Sequence, residues 1–163
     1  MKRIRHVDGG LDGIDTAILR ALAENARMPV KQLATLIGLS GPSTTERLRR
    51  LEETGVVEGY DVRINTQAIG LPLAVHIRLR PMPGELARVA RLLSDSPEII
   101  ECDRVTGDDC FVARAHVATV NDLEALIDRF LPFATTNSAI IQSSPVRRRM
   151  PLLPKIRAGS SRR

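Results

Sequence analysis

The sequence predicts an α+β protein: three N-terminal helices with a tight corner between the second and third, an extended hinge, then a βαββαβ domain. Three observations carry this reading. Apolar residues recur at helical spacing up to Gly55 and at strand spacing from Leu73. Gly38-Leu39-Ser40 separates two short apolar stripes by a single turn. The second half orders as strand–helix–strand–strand–helix–strand, the split arrangement of ferredoxin-like domains.

Residues 1–10 read as a flexible arm ending in Gly9-Gly10. Asp12 is placed to cap a first helix running to about Asn25, with Asp15 in the first turn, where the helix dipole favours an acid. Leu11, Ile14, Ile18 and Leu22 form its apolar stripe, and Ala17 and Ala21 let a neighbouring helix approach closely. Leu33, Leu36 and Ile37 mark a second helix. Gly38 suits the left-handed residue past its end, and Ser40 suits the N-cap of the third. Pro42 would lie in that helix's first turn, where a missing N–H is harmless. Ser43-Thr44-Thr45-Glu46 offers an alternative capping box. Leu48 and Leu51 form the third helix's stripe, with Arg47, Arg49 and Arg50 around it, and Gly55 closes it.

Hydroxyls at a helix N-terminus and arginines a turn further on suit a helix presented end-on to a phosphate-lined groove. Residues 11–55 therefore read as a helix-turn-helix, with Ser40, Ser43, Thr44, Thr45, Arg47 and Arg50 as candidate contacts to double-stranded DNA. Arg47 is preferred to Arg50, because a recognition helix reads with its N-terminal half, and Arg49 is read as a solvated surface residue. The stretch alone leaves a blander reading open. A helix–corner–helix builds many small cores, hydroxyls cap helices, and Glu46, Glu52 and Glu53 are close enough to pair with the arginines.

Val56 to Ile64 is strand-like, interrupted by Gly59, and with the residues up to Pro72 forms a hinge and linker over 56–72. Leu73, Val75, Ile77 and Leu79 alternate with Ala74, His76, Arg78 and Arg80, a strand with one buried and one polar face. Leu86, Val89, Ala90 and Leu93 form a helical stripe. Ile99–Val105 and Phe111–Val117 read as strands joined by the Thr106-Gly107-Asp108-Asp109 turn. Val120–Phe130 reads as a helix capped by Asn121, and Asn137–Ser143 as the last strand of a domain spanning 73–144. A four-stranded sheet with helices on one face only must bury the other, and pairing with a second copy is the usual way.

Charge is unevenly placed. The chain carries +5, but residues 145–163 hold seven cations and no acid, which reads as a disordered basic tail in which Leu152-Leu153 is an apolar docking candidate. Residues 1–63 are nearly neutral at +1 and residues 64–144 stand at −3. Phosphate attraction would come from a few placed arginines and the tail, multiplied by oligomerisation, rather than from bulk charge.

Composition narrows the classes further. Aromatic content of 2% argues against single-strand recognition, which uses stacking platforms. No apolar run is long enough to span a bilayer and no secretory signal follows Lys2, Arg3 and Arg5, so a cytoplasmic location is expected. Cys102 and Cys110 match neither a zinc nor a redox spacing and read as buried thiols. His6, His76 and His116 are scattered, and no catalytic arrangement, metal or cofactor follows from spacing.

These motifs, in this order, resemble the Lrp/AsnC (feast/famine) family of transcription regulators. LDGIDTAILRALAENAR at 11–27 is similar to the family's opening helix, and LIGLSGPSTTERLRRLEETGVVEGY at 36–60 to its recognition segment. VTGDDCF at 105–111 looks like the Gly-Asp turn of the effector domain, and TTNSAIIQSSPV at 135–146 like the closing strand. The resemblance implies a DNA-binding dimer joined through the hinge strand, assembled by its C-terminal domains into a ring, commonly an octamer. It also implies an amino acid or similar metabolite bound between dimers, at Gly107 and Asp108 and, less directly, Asp109, Thr136, Asn137 and Ser138. Two departures bear on the pocket: Asp109-Cys110 stand where many relatives have an aromatic residue and an acid, and Asn137 and Ala139 where some have threonine. Two other classes share parts of the pattern. An architectural DNA-compacting protein would need no effector. A sirohaem-decarboxylase-like enzyme would need haem-facing His, Arg and aromatic residues; the aromatic poverty and the intact helix-turn-helix pattern count against it, so a non-enzyme is expected.

Overall fold

A computed structural model describes residues 10–152; the first nine residues of the expected arm and residues 153–163 of the expected tail, Leu153 included, lie outside the described residues. Helix α1 spans Gly13–Glu24, α2 Val30–Ile37 and α3 Gly41–Glu53. They are followed by β1 (Leu73–Pro81), α4 (Leu86–Asp95), β2 (Ile99–Arg104), β3 (Phe111–Val117), α5 (Val120–Asp128) and β4 (Ala134–Ile140). The described chain forms two compact units, residues 10–63 with 147–152, and residues 64–146. None of the described helices is long and apolar enough to cross a membrane.

In the first unit, α1 opens with a reciprocal capping box. The Asp15 N–H donates to Asp12 Oδ1 at 2.7 Å and the Asp12 N–H to Asp15 Oδ2 at 3.2 Å, so two otherwise orphaned donors are satisfied. Ile18, Ala21, Leu33 and Leu51 form the core, with Leu11, Ile14, Leu22, Ile37, Leu48, Val56 and Val57 packed around it. Leu36 is excluded and lies 63% exposed. At about 100° per residue, Leu33, Ala34 and Ile37 share one arc of α2 and Leu36 falls outside it. Gly38 ends α2 at φ +71°, a left-handed conformation that favours glycine, and the Leu39 N–H returns to the Ala34 carbonyl at 3.0 Å. Ser40 then caps α3, accepting from the Ser43 N–H at 3.3 Å, with Pro42 in the first turn. The alternative box beginning at Ser43 does not form, because the helix has already started at Gly41.

The strand expected over Val56–Ile64 does not form in the single chain. Residues 58–65 carry no regular secondary structure, since a strand needs a ladder partner and none lies beside this one among the described residues. Leu152, a docking candidate in the sequence, is fully exposed instead.

The second unit is an antiparallel sheet in the order β2-β3-β1-β4. Its core places Val75, Ile77 and Leu79 of β1 and Phe111, Ala113, Ala115 and Val117 of β3 against Val89 and Leu93 of α4 and Leu123 and Leu126 of α5. The alternate side chains His76, Arg78 and Arg80 are exposed, so the helices cover one face only. Among the boundaries that differ from the sequence reading, two have a visible cause. Thr119, not Asn121, caps α5, because Asp122 answers it reciprocally across the first turn. The last strand begins at Ala134, three residues before Asn137, because Ala134 fills the end of the core and pairs with Pro81.

Candidate DNA-reading helix and ligand-binding turn

Helix α3 divides its side chains between two jobs. Thr44 and Leu51 are buried, with Leu48 and Arg47 half-buried beside them. On the opposite arc, Pro42, Thr45, Glu46, Arg49 and Glu53 face outward, and all are exposed. Ser40 and Ser43 sit exposed at the N-terminus, their hydroxyls 2.9 Å apart. The Thr45 hydroxyl donates back to the Gly41 carbonyl at 3.0 Å and leaves its oxygen outward.

Two of the residues expected to contact DNA are engaged within the unit instead. Thr44 is fully buried and its hydroxyl donates to the Ser40 carbonyl at 2.9 Å, so it packs with the core rather than on the outer face of the helix. Arg47 is committed within the unit: its Nη1 lies 2.7 Å from Asp12 Oδ2 and 2.9 Å from Asp15 Oδ1. Arg50 joins from one turn further on, its Nη2 2.8 Å from Asp15 Oδ2, while its side chain stays half exposed. The cause is Asp15 itself, which is 1% exposed. A buried carboxylate needs cationic partners, and these two arginines supply them. The sequence suggested partners inside the helix, yet the acid comes from the first helix, 32 residues before Arg47.

Arg49, read from sequence as mere surface, is the arginine that faces away from the core. It is half exposed and held between Glu46, at 2.6 Å, and Glu53. The hydrogen bond and charge of Arg49 lower the Glu46 pKa below the usual carboxylate value. Just past the helix, the Tyr60 hydroxyl donates to Glu52 Oε1 at 2.7 Å; burial, then that carboxylate, push its pKa up to about 12.

In the second unit the turn between β2 and β3 centres on Gly107, whose φ of +116° is closed to most side chains. Arg80 of β1 holds this turn: its Nε donates to the Asp108 carbonyl at 3.0 Å and its Nη2 lies 3.4 Å from Asp108 Oδ2. The Asp108 carboxylate remains 91% exposed and Asp109 is half-buried. The turn is further pinned by the Cys110 N–H, which donates to the Leu79 carbonyl at 3.0 Å.

The expected ligand residues of the last strand do not share one face. Asn137 pairs with Arg78 and projects to the open side, whereas Thr136 and Ser138 pair with Leu79 and Ile77 on the helix side. The turn tethered by Arg80 therefore groups with Asn137, and Thr136 and Ser138 fall away from it. Thr135, opposite Arg80, is about 7 Å along the strand from Asn137 by the usual rise. His76, Arg78, Val112, Asn137 and Ala139 line a shallow depression on that open face. Arg80 is the residue that sequence reasoning passed over. Alternation placed it on the polar face, but its partner turn is 28 residues away.

The cysteines differ from expectation in one respect: Cys110 is half-buried, but Cys102 is exposed because β2 is an edge strand. Among the described residues no group of three or more His, Cys, Asp or Glu side chains is placed to hold a metal.

Residues 11–58 match the winged helix-turn-helix DNA-binding family and residues 73–151 the Lrp/AsnC ligand binding domain. Among curated proteins, the HTH-type transcriptional regulator LrpA of Mycobacterium tuberculosis is 37% identical over 134 residues, 80% of this chain and 89% of that protein. Among solved structures, the feast or famine regulatory protein of M. tuberculosis complexed with L-methionine superposes with a TM-score of 0.82 at 34% identity, covering 89% of this chain and all of that one. Bacillus subtilis LrpC superposes with a TM-score of 0.81 at 28% identity, over 85% of this chain and 99% of that one. With both halves matched in order and a relative above one-third identity across most of its length, the chain belongs to the Lrp/AsnC family of transcription regulators.

Proposed function

We propose that the chain is a sequence-specific, double-stranded-DNA-binding transcription regulator whose activity is set by an amino acid or closely related metabolite. The observation that carries the DNA half is the division of α3, in which Arg47 is spent on Asp12 and Asp15 while Thr45, Glu46 and Arg49 face outward. Ser40, Ser43 and Thr45 supply phosphate contacts at the helix N-terminus, and Arg50 keeps half its side chain free to reach the backbone. Arg49 takes the base-reading role that the sequence suggested for Arg47, since an arginine pairs bidentately with guanine in the major groove.

The effector half rests on the Arg80–Asp108 turn together with Asn137. A free amino acid carries one carboxylate and one ammonium group, which the Arg80 guanidinium and Asp108 carboxylate complement. The M. tuberculosis relative solved with L-methionine supports an amino acid as the class. Assembly follows from surfaces left open: Val62 (83% exposed) and Ile64 (62%) lie in the unpaired hinge, and one sheet face lacks a helical cover. A second copy pairs at the hinge, dimers associate through the sheet domains, and an octamer is the expected ring. The working boundaries are 11–55 for DNA binding, 56–72 for the hinge and 73–144 for effector binding and assembly, acting in the cytoplasm through binding alone. Thermal stability across the twenty amino acids, with the oligomer mass in each, tests this reading. A ligand at about 100 times its dissociation constant adds roughly 2.7 kcal/mol to the native state. No stabilisation by any of them would remove the amino-acid half.

A further inference from the structure

We propose that Arg147, Arg148 and Arg149 form a second phosphate-binding element of the DNA-binding unit, acting together with α3. The first support is where the segment lies. Arg147 to Leu152 belong to the compact unit of the three helices, not to the sheet unit they follow in sequence. Arg148, Arg149, Met150 and Pro151 line one groove with the end of α1 and residues 55–63.

The second support is charge. Arg47, Arg49 and Arg50 of α3 all lie against carboxylates, and residues 1–63 together carry ten cations and nine acids. That unit alone has little charge left to attract a polyanion. Arg147, Arg148 and Arg149 add three cations and no acid, which raises that balance from +1 to +4. Arg148 is 86% exposed, and its only acid neighbour among the described residues, Asp61, is equally exposed at 3.9 Å. A pair that long and that wet leaves the guanidinium available.

The segment is therefore a sequence-indifferent clamp, and α3 supplies the specificity. This rests on the DNA-binding reading, and the test separates the two. Binding of full-length protein to an operator and to a random duplex is measured against salt, with the wild type and the triple variant Arg147→Gln, Arg148→Gln, Arg149→Gln. Each cation withdrawn from a phosphate reduces the slope of log K on log salt by about 0.9. Withdrawing three would shrink the fall in affinity between 50 and 200 mM salt by roughly 40-fold. The reduction should be equal on both duplexes, and Lys at the same three positions should restore the wild-type slope. A wild type that binds with a slope the triple variant does not change overturns the clamp alone, and a wild type that binds no duplex overturns both readings. Should the triple variant fail to fold, trypsin cleavage after Arg147–Arg149 in the wild type decides: duplex should slow it, and equal rates with and without duplex would refute the clamp.

Discussion

Asp15 and Arg47, the one buried in the first helix and the other on the third, meet at 2.9 Å, and this contact fixes which face of α3 is free. With Arg47 and Arg50 both turned toward Asp15, the helix cannot turn the pair of them outward without leaving a carboxylate uncompensated in the core. Removing that carboxylate should therefore cost stability before it costs recognition. Asp15→Ala is expected to destabilise the N-terminal unit by about 2–4 kcal/mol in urea unfolding, at or below the usual cost of breaking a buried pair, because both arginines reach solvent. Arg47→Ala should show the same signature, with DNA binding falling only in step with the folded fraction. A fully stable Arg47→Ala with weakened affinity would return Arg47 to the interface.

Arg49→Ala should do the reverse. Its partners Glu46 and Glu53 are exposed on the same helix, so the pairs contribute little to folding. Thermal stability should hold, while discrimination at one base pair of the site falls by about 1–3 kcal/mol. Binding to a panel of single-base operator variants reads this out. An unaltered preference at every position would exclude Arg49 from base contact.

Much of this fold is legible in the sequence because local rules act alone there. The Gly38 stop, the Ser40 cap and the alternation from Leu73 to Arg80 each follow from spacing within a few residues. What is not legible depends on contacts far along the chain. Asp15 reads as a dipole-favoured first-turn acid, and only the crossing of α1 and α3 turns it into the partner of two arginines. Arg80 reads as one polar residue in an alternating strand, and only the return of the Gly107 turn gives it a role. Thr136, Asn137 and Ser138 read as one cluster, although strand geometry sends neighbours to opposite faces, a rule that the sequence alone could have applied.

Glu98 gives the second unit an acid-sensitive tie. Its carboxylate lies 2.7 Å from Arg129, whose hydrogen bond lowers the Glu98 pKa from the ordinary 4.5 while partial burial opposes that shift. The folded state thus binds fewer protons than the unfolded chain near and just below that value, so the tie is at full strength above it and is lost as pH falls through the folded pKa. At Asp12 burial pushes the pKa up, but the Asp15 backbone N–H and Arg47 together outweigh it and leave the pKa lowered, which adds the same sign in the first unit. Glu98→Gln should lower stability at neutral pH and flatten its decline below about pH 5. An acid unfolding curve parallel to that of the wild type would show that Glu98 does not contribute.

The Arg80–Asp108 contact yields the sharpest test of the ligand turn. Asp108 is exposed and makes no contact that the core depends on, so Asp108→Asn should fold, assemble and bind DNA as the wild type does. It should lose the charge that receives an amino group, and stabilisation by the effector found in the amino-acid panel should fall by at least tenfold in apparent affinity, about 1.4 kcal/mol. Arg80→Ala acts one step back, since it removes the group that holds the turn as well as the guanidinium proposed to meet a ligand carboxylate. It should weaken the response as strongly and also speed amide hydrogen exchange between Thr106 and Cys110. A variant at Asp108 that still responds at wild-type concentrations would move the effector elsewhere on the domain. Faster exchange in Arg80→Ala alongside that result would show that Arg80 secures the turn and nothing more.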